Sequence, residues 1–105
     1  MDNNEIYHTI KTTVLSYLPD AHVLLFGSRA RGDINRHSDY DILVITKQTV
    51  PPKEKMDIES KISKRLVCTL QAPFDVILHS EKDVELKKHA KGFVIYHALK
   101  DAIEL

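Results

Sequence analysis

Gly27-Ser28-Arg29-Ala30-Arg31-Gly32, followed one short loop later by Ser38-Asp39-Tyr40-Asp41, is the stretch on which the fold of this chain turns. The first segment leaves an apolar run, Val23-Leu24-Leu25-Phe26, and the second opens another, Ile42-Leu43-Val44-Ile45. The unbroken apolar character of residues 22–26 predicts a buried central strand, and residues 40–46, rich in Ile and Val, predict a second. Both polar segments therefore fall at strand ends. Glycine lets a backbone approach a phosphate closely, and the free N–H groups of a helix start attract anions without a basic side chain. Gly27 and Ser28 can serve in this way, the serine hydroxyl adding one donor. Arg29 and Arg31 can reach phosphate oxygens in bidentate fashion, and a salt bridge to Asp33 or another nearby acid is an equally open reading for each.

The carboxylates supply the other half. Side chains alternate along a strand, so Asp39 and Asp41 are expected on one face with Cα atoms about 6.6 Å apart, and Tyr40 on the other. Two carboxylates so placed repel one another unless a divalent cation or a retained proton relieves them, and Mg²⁺ favours oxygen ligands and substrate phosphates. Solvated aspartates at a strand start remain the plain alternative. Asp75 sits early in a third apolar run, Phe74-Asp75-Val76-Ile77-Leu78, where a buried, unpaired acid would be costly. If that strand lies parallel beside residues 39–45, Asp75 reaches the same end of the sheet, and three carboxylates suffice for an arrangement of two ions. An aspartate at a strand edge facing water is the alternative.

Outward from this centre, Ile6, Ile10, Val14, Leu15 and Leu18 recur at helical spacing over residues 3–18, after Asp2, Asn3 and Asn4 as candidate caps. Residues 32–38 read as a polar loop. Pro51-Pro52 opens a helix over residues 53–70 with an imperfect apolar face of Met56, Ile58, Ile62, Leu66 and Leu70, and Pro73 ends it. Ser80 is the expected cap of a helix reaching about Ala90, with Gly92 closing it. Residues 93–96 fit either a fourth strand or the first turn of a last helix running to Leu105. Val84, Leu86, Phe93 and Ile95 are explained equally as core or as an exposed partner surface. Tyr7, Tyr17 and Tyr96 read as residues of the core edge, and Cys68 as a small buried hydrophobe. The order of elements predicts an α/β (α+β) fold, a small mixed β-sheet flanked by helices, with residues 1–105 forming a single domain.

Size and charge limit what such a site can serve. One core fits in 105 residues, but not a catalytic domain together with a dedicated substrate-binding domain, so a bulky substrate is expected at the surface. The 15 basic and 15 acidic residues cancel and are interspersed, leaving no electrostatic footprint for nucleic acid. No apolar run approaches the roughly 18 residues of a membrane span, and the start of the chain lacks signal-peptide character, so a cytoplasmic protein is expected. Six histidines occur in no Cys/His ligand spacing, and one cysteine excludes an internal disulfide, which argues against zinc.

Gly27-Ser28, ten intervening residues, Asp39-Tyr40-Asp41 and a later Asp75 together resemble the signature of the polymerase-beta-like nucleotidyltransferase superfamily. The short length and the fuller Gly-Ser-Arg-Ala-Arg-Gly string resemble its minimal nucleotidyltransferases, the MNT proteins. The resemblance is strong over residues 22–45 and moderate over residues 73–78. It implies Mg²⁺, two ions in all, on Asp39 and Asp41 with Asp75 as third carboxylate and base. It also implies ATP held at Gly27 and Ser28 with Arg29 and Arg31, and transfer of AMP with loss of pyrophosphate. MNT proteins commonly pair with small all-helical HEPN proteins as antitoxin and toxin, and some adenylylate a tyrosine of that partner. A HEPN-type partner is therefore expected, neither nucleic acid nor membrane is, and a homo-oligomer stays open. Two other readings remain: a nucleotidyltransferase for a small hydroxylated molecule, and a non-catalytic module that covers a toxin.

Overall fold

The structure, a computed structural model, describes residues 2–32 and 39–105. The predicted polar loop, beyond Gly32, lies outside the described residues, as do Asp33 and Ser38.

Helix α1 (Asn3–Tyr17) is capped by Asp2, whose side chain accepts from the Glu5 amide at 2.9 Å, and it buries Ile10 and Val14 completely. Strand β1 (His22–Phe26) leads into a four-residue helix, α2 (Ser28–Arg31), and β2 (Tyr40–Thr46) is the next described element. Helix α3 (Pro52–Leu70) starts on the proline that fits a first helical turn and ends at Gln71, which takes the left-handed conformation with φ of 55°. The Gln71 side chain donates to the Cys68 carbonyl at 2.8 Å, so the residue itself supplies the stop that glycine usually provides. Strand β3 (Phe74–Ser80) then runs directly into α4 (Glu81–Lys87), with Ser80 accepting from the Asp83 amide at 3.1 Å in the capping role expected of it. Helix α5 (Val94–Asp101) and a two-residue strand, β4 (Ile103–Glu104), complete the described chain.

The strands form one sheet in the order β3-β2-β1-β4. β1 pairs antiparallel with β2 and β4, whereas β2 and β3 are parallel, the crossover that parallel pairing requires being supplied by α3. The predicted mixed sheet is therefore present, and β1 is central, as its unbroken apolar run implied. Alternation sorts the side chains into two layers. Tyr40, Ile42 and Val44 join Val23, Leu25, Phe74, Val76 and Leu78 on one face, against Ile10 and Val14 of α1 and Ile62 and Leu66 of α3. Leu43 and Leu24 face the other way, against Ile95 of α5. The outer edge of β3 is covered by α3: the Glu59 carboxylate accepts from the Leu78 amide at 2.8 Å, and Ser63 donates to the Phe74 carbonyl at 3.2 Å.

Four expectations are corrected. The last helix stops at Asp101 instead of reaching Leu105, because Ala102 turns extended and the chain pairs with β1, the Leu105 amide donating to the Val23 carbonyl at 2.8 Å. Helix α4 ends at Lys87 rather than near Ala90, and Gly92 neither closes it nor holds a positive φ. β3 continues two residues beyond Leu78, since its ladder with β2 runs on to Thr46 and Ser80. Cys68 is exposed, on the solvent side of α3, because the buried stripe of that helix passes through Ile62 and Leu66. Tyr7, Tyr17 and Tyr96 are partly buried as expected. Of the four residues left between core and surface, Ile95 is fully buried and Val84 partly so, while Leu86 and Phe93 are exposed. Among the described residues, no helix is long and apolar enough to cross a membrane.

Candidate active site

The site is built at the end of the sheet where β1 finishes and β2 and β3 begin. Gly27 follows β1 with φ of 75° and ψ of −156°, a conformation that an L side chain rarely adopts. A methyl group there would run into the carboxylate of Asp41. Glycine is thus required twice, by the turn and by the close approach of the turn to the acid. The Gly27 carbonyl accepts from the amides of Ala30 and Arg31, each at 3.1 Å, which closes α2, and Gly32 ends it in the left-handed conformation. A turn that opens a helix presents backbone N–H groups, the kind of donor a phosphate takes. The expected turn is therefore in place, and it abuts the carboxylate it was expected to accompany.

Asp41 pairs across the ladders with Phe26 on one side and with Asp75 on the other. Because β2 and β3 are parallel and in this register, Asp41 and Asp75 occupy one rung and the same face. Asp39 immediately precedes β2 and, like Asp75, is exposed, whereas Asp41 is half-buried. Burial first, and then the negative charges of Asp75 and Asp39, hold the Asp41 carboxyl above its ordinary range, and Arg31 offsets part of that rise. The three predicted carboxylates thus share one electrostatic neighbourhood.

The two arginines meet partners that the sequence did not single out, although Arg31 takes up the ion pair left open for it. Arg29 lies over the Tyr40 ring, its guanidinium carbon 4.1 Å from the ring centroid, and Nη1 donates to the Tyr40 hydroxyl at 3.2 Å. Tyr40 in turn stacks on Phe74, with centroids 4.9 Å apart and planes 13° from parallel. Arg31 forms an ion pair with Asp101 at the end of α5, at 3.0 Å. A signal for the stack was present: Tyr40 and Phe74 each precede an aspartate, so any register that sets Asp41 level with Asp75 also sets the two rings level. Nothing in the pattern of residues 94–105 pointed to Asp101.

The donors fit a hard divalent cation in kind, since all three are carboxylate oxygens whose mutual repulsion a cation would relieve. Among the described residues, however, no three His, Cys, Asp or Glu side chains converge tightly enough to hold an ion by themselves. An ion bound by one or two of these carboxylates would complete its shell with substrate phosphate and water, the usual habit of Mg²⁺. Asp39 and Asp75 are exposed and Asp41 is half-buried, and none of the three lines either of two described cavities of about 340 Å³.

The family model for the polymerase beta nucleotidyltransferase domain matches residues 8–101. The chain belongs to that family. This polymerase beta nucleotidyltransferase is 40% identical over 67 residues, 62% of its own length and 67% of the relative's, to a Methanocaldococcus jannaschii protein provisionally named a protein adenylyltransferase. Its fold is that of a toxin–antitoxin crystal structure with AMP-PNP, with a TM-score of 0.71 at 18% identity, covering 93% of this chain and 70% of that one. It is also similar to one chain of a complex between a tri-AMPylated Shewanella oneidensis HEPN toxin and MNT antitoxin, with a TM-score of 0.65 at 15% identity, covering 96% of this chain and 69% of that one. The nucleotidyltransferase fold expected from the Gly27 to Asp41 string is thereby established, and with it an enzyme.

Proposed function

We propose that this chain transfers AMP from ATP to a hydroxyl of a protein acceptor, a tyrosine of a helical HEPN-type toxin, and so acts as that toxin's antitoxin. The observation that carries the reading is the union, at one open end of the sheet, of a glycine turn pressed against Asp41 with Asp75 on the same rung. The name of the Methanocaldococcus jannaschii relative supports a protein acceptor, and the toxin–antitoxin complexes of the same fold support its class.

In this reading the backbone at Gly27 and the Ser28 hydroxyl hold phosphate oxygens of ATP, and Arg31 adds positive charge beside them. Asp39 and Asp41 would hold Mg²⁺, which neutralises triphosphate charge and aligns it when bound. Asp75, exposed beside Asp41, takes the proton of the incoming hydroxyl. The hydroxyl oxygen bonds to the α-phosphorus, the bond from that phosphorus to the bridging oxygen breaks, and pyrophosphate leaves with the electron pair. Because Asp39 and Asp75 are exposed, an acceptor carried on another folded molecule can reach them.

The test is incubation of the purified chain with the protein encoded beside it, Mg²⁺ and α-labelled ATP. Label is expected on the partner and none with Asp39→Asn, Asp41→Asn. Absence of label under any metal or nucleotide overturns the reading. Toxin neutralisation that survives the double substitution would make the chain a binding module instead.

A further inference from the structure

We propose that Arg29 is a positioning residue, whose guanidinium, laid over the Tyr40 ring, locks the Gly27-Ser28 turn to the strand ends that carry Asp39, Asp41 and Asp75. The proposal rests on the site being the transferase centre argued above, and it gives Arg29 a different task from the phosphate contact expected of it.

The need for a lock follows from the construction of α2. This helix has four residues, buries none of them, and is bounded on each side by a glycine with positive φ. Apolar burial therefore does little to fix its orientation, and only Ala30 packs against the large core layer. Yet the orientation matters, because the turn and the carboxylates must meet the same triphosphate. Arg29 is the side chain that bridges the two. Its plane covers Tyr40 at 4.1 Å while Nη1 donates to the hydroxyl at 3.2 Å, so both its tilt and its reach are constrained. Tyr40 is itself immobilised, 7% exposed and stacked on Phe74, which is 9% exposed. These two rings form the rung next to that of Asp41 and Asp75. The stack Arg29–Tyr40–Phe74 thus runs from the phosphate turn through β2 to β3 on the face opposite the carboxylates, and it clamps at one place the three segments that must be held in register. An error of about 1 Å in such a placement can cost a hundredfold in rate.

Arg29→Lys separates the two roles, since lysine keeps the charge a phosphate needs but lacks the planar fork that stacks and donates at once. Transfer to the acceptor is expected to fall about tenfold in kcat for both Arg29→Lys and Arg29→Gln, with KM for ATP changed less than about twofold, and Tyr40→Phe, which keeps the stack but loses the hydroxyl contact, is expected to lower kcat by less than either. Thermal unfolding of each variant shows whether the fold survives. Independently of turnover, the Arg29 side-chain protons should show an upfield ring-current shift by NMR, present without nucleotide and retained with a non-hydrolysable ATP analogue. Full rescue by lysine, a raised KM with kcat unchanged, or a ring-current shift that is absent or vanishes on adding the analogue overturns the proposal. If the wild-type chain labels no acceptor, the proposed function fails by itself, and the ring-current shift still shows whether Arg29 holds the stack with nucleotide bound.

Discussion

Asp41 and Asp75 share one rung of the parallel ladder between β2 and β3, and the charge of Asp75 is, after burial, the largest influence holding the Asp41 carboxyl above its ordinary range. The pair is thus arranged at a cost to the metal-free protein. An acid whose pKa is raised by folding binds its proton more readily when native than when unfolded. Between the ordinary value of 3.8 and the raised one, the native state therefore holds more protons, and stability falls as pH rises through that window. Asp41→Asn should remove this dependence. In metal-free buffer the variant is expected to unfold at a higher temperature than the wild type at neutral pH and at about the same temperature below pH 3.8, while losing transferase activity. Calorimetric scans across pH check the first part; a variant less stable than the wild type at neutral pH would contradict it.

Gly27→Ala tests the other half of the site. The new methyl group meets both a φ of 75° and the Asp41 carboxylate, so the turn must shift away from the acid it was built against. A strained backbone of this kind costs about 1–3 kcal/mol, which denaturant unfolding can read. Activity should fall further than stability, by about a hundredfold, because the displaced segment is the one proposed to hold the triphosphate. Full activity in the alanine variant would mean that the turn does not contact the nucleotide.

The turn, the two central strands and the level placement of Asp75 were legible because each depends on local chemistry: a glycine between strand and helix, unbroken apolar runs, and an acid in an otherwise apolar strand. Ser80 was legible as a cap for the same reason. What escaped depends on partners distant in the chain. β4 is a strand only because Ile103 and Glu104 lie beside Leu25 and Leu24, and two exposed residues carry no period of their own. Arg29 and Arg31 stayed open between phosphate contact and an ion pair because nothing nearby in sequence shows that Tyr40 and Asp101 receive them. Cys68 was misread because a helix with an imperfect apolar face gives several candidate stripes, and packing against the sheet selects one.

The thin layer on the side of α5 yields a third prediction. Leu43 lies two residues from Asp41 on the same face of β2, is completely buried, and packs with Leu24 and Ile95 in a cluster far smaller than the one on the opposite face. Leu43→Ala is expected to cost about 2–5 kcal/mol, since a small cluster has few neighbours able to collapse into the void. Met56→Ala, at a side chain 71% exposed on α3, should change stability by less than about 0.5 kcal/mol. Chemical denaturation of both variants measures the contrast, and equal effects would place Leu43 outside the core.

His79 supplies an acid-side limit to stability of opposite sign to that of Asp41. Among the described residues its buried Nδ1 finds no hydrogen-bond partner, Asp83 standing at 3.7 Å. Burial, then the charges of Lys55 and Lys87, lower the imidazole pKa below its ordinary 6.5, and Asp83 recovers only part of the loss. The unfolded chain therefore binds a proton at His79 more readily than the native one, so stability present above pH 6.5 drains away as pH falls towards the lowered value. Helix α4 buries none of its own residues, so it should be the first element to open as that stability is lost. His79→Gln is expected to flatten the fall of the unfolding temperature between pH 7 and about pH 5, and hydrogen exchange should show α4 opening earlier than β2 in the wild type. An unfolding temperature with the same pH slope in wild type and variant would show that His79 is not the group that titrates.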